Sequence, residues 1–265
     1  MATYLDAILA LHRAAAAADD RDPGWLRSQA EASASPRGFR SALVESDGLA
    51  VIAEVKRRSP SKGDLHVDLD PQVLARSYAA GGASCLSVLT DVEHFGGSPA
   101  DLAAARDATE LPVLRKDFTV SGLDVCDARL MGADAVLLIA AALDDAELAE
   151  LHALATALDL AVLVEIHDEA ELDRALAIDA DLIGVNQRDL DTFEVDAERA
   201  VRMAPLIPPN VVRVAESGVR GPDDARRLAD AGYDAVLVGE SLVTAGDPEA
   251  AVRAMRAQPA RRLDG

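Results

Sequence analysis

The chain has 265 residues, half of them hydrophobic, and a formal net charge of −20. This length suits a single domain, and the hydrophobic fraction is enough to bury a full core. The acidic balance argues against nucleic acid and anionic membranes as partners. No apolar run reaches the roughly 18 residues of a membrane span, and residues 1–20 lack the basic start and apolar stretch of a secretory signal. We therefore expect a cytoplasmic protein.

Short apolar runs rich in Val, Ile and Leu recur along the chain and indicate fully buried strands. These predicted strands cover residues 50–55, 84–89, 113–115, 135–139, 161–165, 182–185, 211–215 and 235–238. Amphipathic segments lie between them, and three begin with a capping residue followed by proline, at 70–71, 98–99 and 247–248. Strands that alternate with helices predict parallel pairing and right-handed crossovers.

A weak internal repeat also points to a series of similar units. Gly-Ala-Asp-Ala-Val-Leu at 132–137 is similar to Gly-Tyr-Asp-Ala-Val-Leu at 232–237. The two copies start 100 residues apart, which is four times the length of one short βα unit of about 25 residues. Eight such units close a barrel. The alternative, an open doubly wound sheet, normally has a Gly-rich turn after its first strand, and residues 54–59 contain none. We predict an α/β fold with a single TIM (β/α)8 barrel at 50–258, an N-terminal helical extension at 1–49 and a C-terminal tail at 259–265.

Polar side chains stand where the predicted strands end. In a TIM barrel the active site lies at the carboxyl ends of the strands. A core strand has no packing reason to end in a charged group, because burial of an unpaired charge is unfavourable. These strand ends carry Glu54, Lys56, Lys116, Glu165, Asn186, Arg188, Glu216 and Ser217. They are the candidate catalytic and binding residues.

Lysine is rare in this chain: Lys56, Lys62 and Lys116 are the only three among 26 basic residues. Arginine keeps its proton, whereas lysine can release one when burial or nearby cations lower its pKa. Two of the three follow strands, so we expect lysines tuned for proton transfer. Glu54 and Lys56 point to the same side of their strand and suit acid–base work, although a simple ion pair is the alternative. For Lys62, a solvated surface charge and a functional role remain equally open.

Two glycine-containing turns indicate a phosphate site. Ser217 and Gly218 follow the seventh predicted strand, and Gly239 and Ser241 follow the eighth, the two places where TIM barrels commonly bind phosphate. Ser59 in the loop after the first strand adds a hydroxyl. Each glycine alone is also typical of an ordinary turn. Together the turns predict a small phosphorylated ligand.

The cysteines and histidines indicate no further chemistry. Cys85 and Cys126 are too few for a disulfide framework, and we expect both to be buried, reduced thiols. The five histidines show no metal-ligand spacing. We therefore predict no metal.

The motifs resemble one family. Residues 51–63, Val-Ile-Ala-Glu-Val-Lys-Arg-Arg-Ser-Pro-Ser-Lys-Gly, are similar to the signature of indole-3-glycerol phosphate synthases, a strand followed by E-x-K-x-x-S-P-S. Further similar segments follow in order: Leu-Thr-Asp at 89–91, Phe-Gly-Gly-Ser at 95–98, Leu-Arg-Lys-Asp-Phe at 114–118, Leu-Val-Glu at 163–165, Gly-Val-Asn-Gln-Arg-Asp-Leu at 184–190, Glu-Ser-Gly at 216–218 and Val-Gly-Glu-Ser-Leu at 238–242. The resemblance covers nearly the whole predicted barrel.

The resemblance implies a cofactor-free reaction. The sequence shows no evident obligate protein partner, and a separate partner enzyme remains an alternative. The substrate would be 1-(2-carboxyphenylamino)-1-deoxyribulose 5-phosphate, whose ring closure releases carbon dioxide and water. It implies that Lys116 protonates the ketone, that Glu165 and Glu54 transfer protons, and that Lys56 holds the substrate carboxylate. It places Asn186, Arg188, Glu216 and Ser217 around the pocket, Ser59, Gly218, Gly239 and Ser241 at the phosphate, and Phe95 and Phe118 on the anthranilate ring. Ordinary core packing is the alternative for the two phenylalanines.

Two other functions compete with this interpretation. Phosphoribosylanthranilate isomerase would call for a Cys or Asp acid–base pair at strands one and six, where this chain has Glu54, Lys56 and Asn186. A catalytically inactive, phosphate-binding barrel that serves as a regulatory module is the second alternative. The charged strand ends argue against it, but the fold alone does not separate these functions.

Overall fold

The structure, a computed structural model, describes residues 3–190 and 192–258. The predicted tail at 259–265 lies outside the described residues. No helix within those two ranges combines the length and the apolar character that a membrane crossing requires.

Parallel strands close into a barrel, which confirms the predicted fold class. The eight strands are β1 (Ala50–Val55), β2 (Cys85–Leu89), β3 (Val113–Lys116), β4 (Ala135–Ile139), β5 (Ala161–Ile166), β6 (Leu182–Asn186), β7 (Val212–Glu216) and β8 (Ala235–Val238). Each pairs with its sequence neighbours, and β1 closes the ring by pairing with β8, Ala50 opposite Ala235. The carboxyl ends of all eight therefore meet at one mouth.

Helices precede the barrel and follow its strands. They are α1 (Tyr4–Ala18), α2 (Pro23–Glu31), α3 (Phe39–Val44), α4 (Pro71–Gly81), α5 (Pro99–Asp107), α6 (Gly122–Leu130), α7 (Asp145–Ala157), α8 (Glu169–Ala177), α9 (Arg199–Met203), α10 (Pro222–Asp230), α11 (Glu240–Val243) and α12 (Pro248–Arg256). The three predicted helix starts are present: Asp70, Ser98 and Asp247 each accept a backbone N–H of the first turn.

Several strand ends differ from the predicted ones by a single residue. The predicted strands stopped before Lys116, Asn186 and Glu216, where the apolar run ends, but the backbone ladder continues through these residues. For example, Asn186 of β6 stands opposite Glu216 of β7 in the parallel pairing of these two strands. Hydropathy marks where side chains turn polar, whereas the strand ends where backbone hydrogen bonding ends.

The core has two layers because successive side chains of a strand point to opposite faces. One face of the strands packs against the helices, as Val51 and Ala53 do. The other face fills the barrel, as Ile52, Leu163 and Val214 do. This inner layer is closed at the amino end of the strands by α3, whose Phe39 and Leu43 pack into it. The interior is therefore a packed core below an open mouth.

The internal repeat has a structural cause. Asp134 accepts a hydrogen bond from the backbone N–H of Val113 at 2.8 Å, and Asp234 accepts one from Arg213 at 2.8 Å. Each aspartate precedes a strand and ties it to the start of the neighbouring strand. The repeat glycines two residues earlier have φ of +85° and +96° at a helix end, where glycine is favoured.

The helices before β1 run from the mouth of the barrel to its base. Tyr4, Leu5 and Ile8 of α1 lie at the mouth, α2 packs on α6, and α3 lies at the base. Trp25, in α2, is 59% exposed, so the single tryptophan is not a core residue. Both cysteines are buried and unpaired with each other, as expected.

Candidate active site

A cavity of about 990 Å³ opens at the carboxyl ends of the strands. The candidate residues named from the sequence all line it. They are Glu54, Lys56, Ser59, Phe95, Lys116, Phe118, Glu165, Asn186, Arg188, Glu216, Ser217, Gly218, Gly239 and Ser241. Strands that are distant in the sequence thus bring these side chains together.

Strand alternation explains why these residues face the cavity. Glu165 lies two residues after Leu163, and Glu216 two residues after Val214, so each continues the face that packs inside the barrel. Below these positions the inner face is apolar, and at the mouth it becomes charged. The barrel core therefore forms the floor of the cavity.

Lys116 is the centre of a buried charge cluster. Its Nζ lies 3.0 Å from Glu165 Oε2 and 3.1 Å from Glu216 Oε2, and the two glutamates are each 1% exposed. Burial would lower the pKa of Lys116, but the charges of Glu165, Glu216 and Glu54 outweigh it and raise that pKa. The carboxylates around Lys116 therefore raise its pKa, whereas the sequence alone leaves a lowered pKa as the route to proton transfer. Lys116 is a charged hydrogen-bond donor held between carboxylates.

The two carboxylates bound to Lys116 differ in acidity. Burial favours the neutral form of Glu165, but Lys116, His167 and Asn186 outweigh burial and lower its pKa. Burial raises the pKa of Glu216, and the nearby charge of Glu165 raises it further. Lys116 lowers it, and the result is a pKa of about 7. Carboxyl groups with separated pKa values can divide proton donation and acceptance between them.

Two glycines make room for the charged groups. A Cβ atom on Gly184 would collide with the Glu216 carboxylate, and one on Gly239 would collide with Glu54 and approach Lys56. Glu54 and Lys56 form an ion pair beneath Gly239. The absence of a side chain at Gly184 and Gly239 thus allows the carboxylates of Glu216 and Glu54 to lie close to the backbone at these two positions.

Asn186 and Arg188 are held in defined orientations. Asn186 Nδ2 donates to Glu165 Oε1 at 3.0 Å, and Asn186 Oδ1 accepts the Arg188 backbone N–H at 3.0 Å. The guanidinium of Arg188 donates to the Phe193 carbonyl at 3.0 Å. Asn186 therefore fixes one oxygen of Glu165, while Lys116 fixes the other.

The loop after β7 has left-handed backbone at Ser217 (φ +65°) and Gly218 (φ +74°). Gln187 Nε2 donates to the Ser217 carbonyl at 2.7 Å, and Ser241 Oγ donates to the Val219 carbonyl at 2.8 Å. Gln187, which follows Asn186 directly in the sequence, therefore supports the loop that begins at Ser217.

Aromatic and apolar groups cover one side of the cavity. The rings of Phe95 and Phe118 lie 6.3 Å apart. Tyr4, Leu5 and Ile8 add apolar surface from α1. The sequence reasoning missed these three, because no pattern within a helix shows which distant surface it covers.

Lys62 lies at the rim, half exposed, with Nζ 3.8 Å from Glu240. Both residues line the cavity, so the two lie where an anionic ligand would enter. This position favours a functional role for Lys62 over a solvated charge remote from the site.

Three side chains near the mouth lie close enough together to share a metal ion: His12, Asp91 and Asp117. Their carboxylates already accept hydrogen bonds, however. Asp91 accepts from the backbone of His94 and from His12, whose pKa is raised by that hydrogen bond, and Asp117 accepts from Arg115. This group joins α1 to the barrel through hydrogen bonds.

Comparison with known proteins agrees with these motifs. The sequence model described as "Indole-3-glycerol phosphate synthase" matches residues 5–255. An indole-3-glycerol phosphate synthase of a Nocardioides species is 53% identical over 240 residues, which cover 86% of this chain and 92% of that protein. One from Laribacter hongkongensis is 49% identical over 258 residues, which cover 95% of this chain and 98% of that protein.

Solved structures share the fold at much lower identity. A 3-hexulose-6-phosphate synthase superposes with a TM-score of 0.63 at 18% identity, covering 80% of this chain and all of that one. Thiamine phosphate pyrophosphorylase from Pyrococcus furiosus superposes with a TM-score of 0.60 at 17% identity, covering 79% and 95%. At such identities the likeness concerns the barrel alone.

Proposed function

The chain belongs to the indole-3-glycerol phosphate synthase family, and we propose that the cavity at the barrel mouth is where it closes the indole ring. The enzyme is a carboxy-lyase of tryptophan biosynthesis. It converts 1-(2-carboxyphenylamino)-1-deoxyribulose 5-phosphate into indole-3-glycerol phosphate, carbon dioxide and water. An aromatic ring carbon attacks the sugar ketone, carbon dioxide leaves, and the resulting alcohol is dehydrated.

Lys116 is the proposed general acid of ring closure. The observation that carries this role is the position of its ammonium group on the cavity wall, held by Glu165 and Glu216 at 3.0 and 3.1 Å. A positioned ammonium can donate to the ketone oxygen as negative charge develops there. The surrounding carboxylates support this role, because they keep the lysine protonated until substrate arrives.

Glu165 and Glu54 are the proposed proton-transfer groups. Dehydration removes a proton from the methylene carbon and protonates the departing hydroxyl, so it needs a base and an acid. The lowered pKa of Glu165 supports its presence as a carboxylate, and Asn186 holds that carboxylate in place at 3.0 Å. Glu54 lies on the wall of the same cavity, in contact with Lys56.

The substrate carries two anionic groups, and the proposed binding residues suit each of them. Lys56 and Arg188 would hold the carboxylate. Ser59, Gly218, Gly239 and Ser241 would surround the phosphate, and Phe95 and Phe118 would pack on the anthranilate ring. Lys62 at the rim adds positive charge to a protein whose net charge of −20 repels anions. We expect the reaction to run in the cytoplasm without cofactor, metal or an obligate protein partner.

The test is formation of indole fluorescence from the carboxyphenylamino-deoxyribulose phosphate by the wild type and by Lys116→Gln. Removal of a general acid should lower kcat at least about a hundredfold. Thermal melting shows whether the variant is folded.

Signal from both proteins would leave the function in place and remove Lys116 from its role. No signal from folded wild-type protein would contradict the synthase function and favour the inactive phosphate-binding barrel.

A further inference from the structure

The reaction takes up one proton in each turnover. Two protons are added to the ketone oxygen before it leaves as water, and one is released from the methylene carbon. The carboxylate departs as neutral carbon dioxide, and its bonding electron pair returns to the aromatic ring. One proton must therefore come from solvent, although Glu165 and Glu216 are each only 1% exposed.

His167 lies between Glu165 and the protein surface. It follows β5 and is two residues after Glu165. Its Nε2 is 3.6 Å from Glu165 Oε1, and its Nδ1 is 3.0 Å from Glu171 Oε2. The backbone N–H of His167 also donates to Glu171 Oε2 at 2.7 Å, which holds that carboxylate against the ring. The imidazole thus bridges a buried carboxylate and one whose side chain is 16% exposed.

The nitrogen that faces Glu165 has no other partner. His167 Nε2 is buried and makes no hydrogen bond. A buried polar atom normally has a partner, and the exceptions call for an explanation. A shift of a few tenths of an ångström would bring Nε2 within hydrogen-bond distance of Glu165, so this nitrogen is placed to exchange a proton with it.

The charges around His167 favour a ring that can gain a proton. Burial lowers the pKa of His167, but Glu171 on α8 and Glu165 on β5 outweigh it, and the pKa is raised. Arg199 on α9 opposes this effect. Arg202 and the carboxylates of residues 168 and 169 line the same cleft of about 220 Å³ beside the ring.

Given the proposed function, we propose that His167 is a positioning residue that relays solvent protons to Glu165. The neutral ring takes a proton at Nδ1 from Glu171, and the imidazolium releases the proton on Nε2 to Glu165. The ring is then neutral with its hydrogen on Nδ1. When it turns toward the cleft, Nε2 takes a proton from solvent and Nδ1 returns its proton to Glu171, which restores the first tautomer. From Glu165 the proton passes to Lys116 across 3.0 Å, replacing the one spent on the ketone.

His167→Gln tests the relay, because its amide can hydrogen-bond to Glu165 but cannot carry a proton through a ring. We expect kcat to fall about tenfold, less than the loss from removing a direct general acid. KM should change less than kcat, and the solvent deuterium isotope effect on kcat should increase. His152→Gln, the same change in α7, is the matched control and should behave as wild type.

His167→Ala separates relay from structure. Added imidazole should restore part of its kcat in proportion to the imidazolium concentration, whereas the wild-type rate should not respond. Unchanged kcat in His167→Gln, or a loss in the folded alanine variant that imidazole does not restore, would overturn the relay. If the wild type formed no indole at all, the proposed function would fail first and the relay with it.

Discussion

Glu216 should make the protein less stable as the pH rises through neutrality. Its carboxylate is 1% exposed and lies beside Glu165, and its pKa is raised to about 7 from 4.5. Glu216→Gln keeps the shape of the side chain but has no charge to bury. Comparison of the two proteins therefore isolates the ionisation of one group.

The magnitude follows from the two pKa values. At about 1.4 kcal/mol per pKa unit, the difference between 4.5 and about 7 corresponds to about 3 kcal/mol. Because the folded-state pKa is the higher one, the native protein binds more protons than the unfolded chain between these values. The free energy of unfolding of the wild type therefore falls, relative to the variant, as the pH rises through this range. About 2 kcal/mol of the change lies between pH 5 and pH 8.

The assay is thermal melting of both proteins at pH 5, 6, 7 and 8. For a chain of this size each kcal/mol shifts Tm by about 2–4 °C, so the Tm difference should change by about 4–8 °C in favour of the variant. Glu150→Gln, on the exposed face of α7, is the matched control and should show a constant difference.

Parallel melting curves for the wild type and Glu216→Gln across this range would refute the reasoning. A wild type that gained stability relative to the variant with rising pH would show that attraction by Lys116 outweighs burial. The same ionisation should appear as a limb near pH 7 in the profile of kcat/KM, and that limb should be absent from the variant.

Two further substitutions test the architecture. Gly184→Ala places a methyl group against the Glu216 carboxylate and should displace that carboxylate. We expect kcat, followed by indole fluorescence, to fall at least about tenfold. An unchanged kcat would mean that the position of the Glu216 carboxylate is not critical. Asp134→Asn removes the charge from a buried carboxylate that pairs with Arg106 and accepts the Val113 N–H, so denaturant unfolding should show a loss of about 3 kcal/mol. A loss below about 1 kcal/mol would contradict that role.

The strands and the barrel were predictable because parallel strands are buried on both faces, which leaves continuous apolar runs in the sequence. The candidate residues at the mouth were recognisable for a related reason. Charged groups such as Glu165 and Glu216 interrupt those runs at one end only, and the topology sends all such ends to one place. What local hydropathy could not show is where the backbone ladder stops, so several strands end one residue from the predicted position.

The electrostatics of the site depended on tertiary structure. The sequence shows a lysine after β3, but not that two buried carboxylates lie within 3.1 Å of it and raise its pKa. Nor does it show that α1 covers the mouth, or that His167 stands between Glu165 and Glu171. The amino-acid sequence alone determined the fold class and the residue types at the mouth, because these follow from local alternation and burial. Distances between groups far apart in the chain decided their charges and partners, because Coulombic interaction and desolvation depend on position in space.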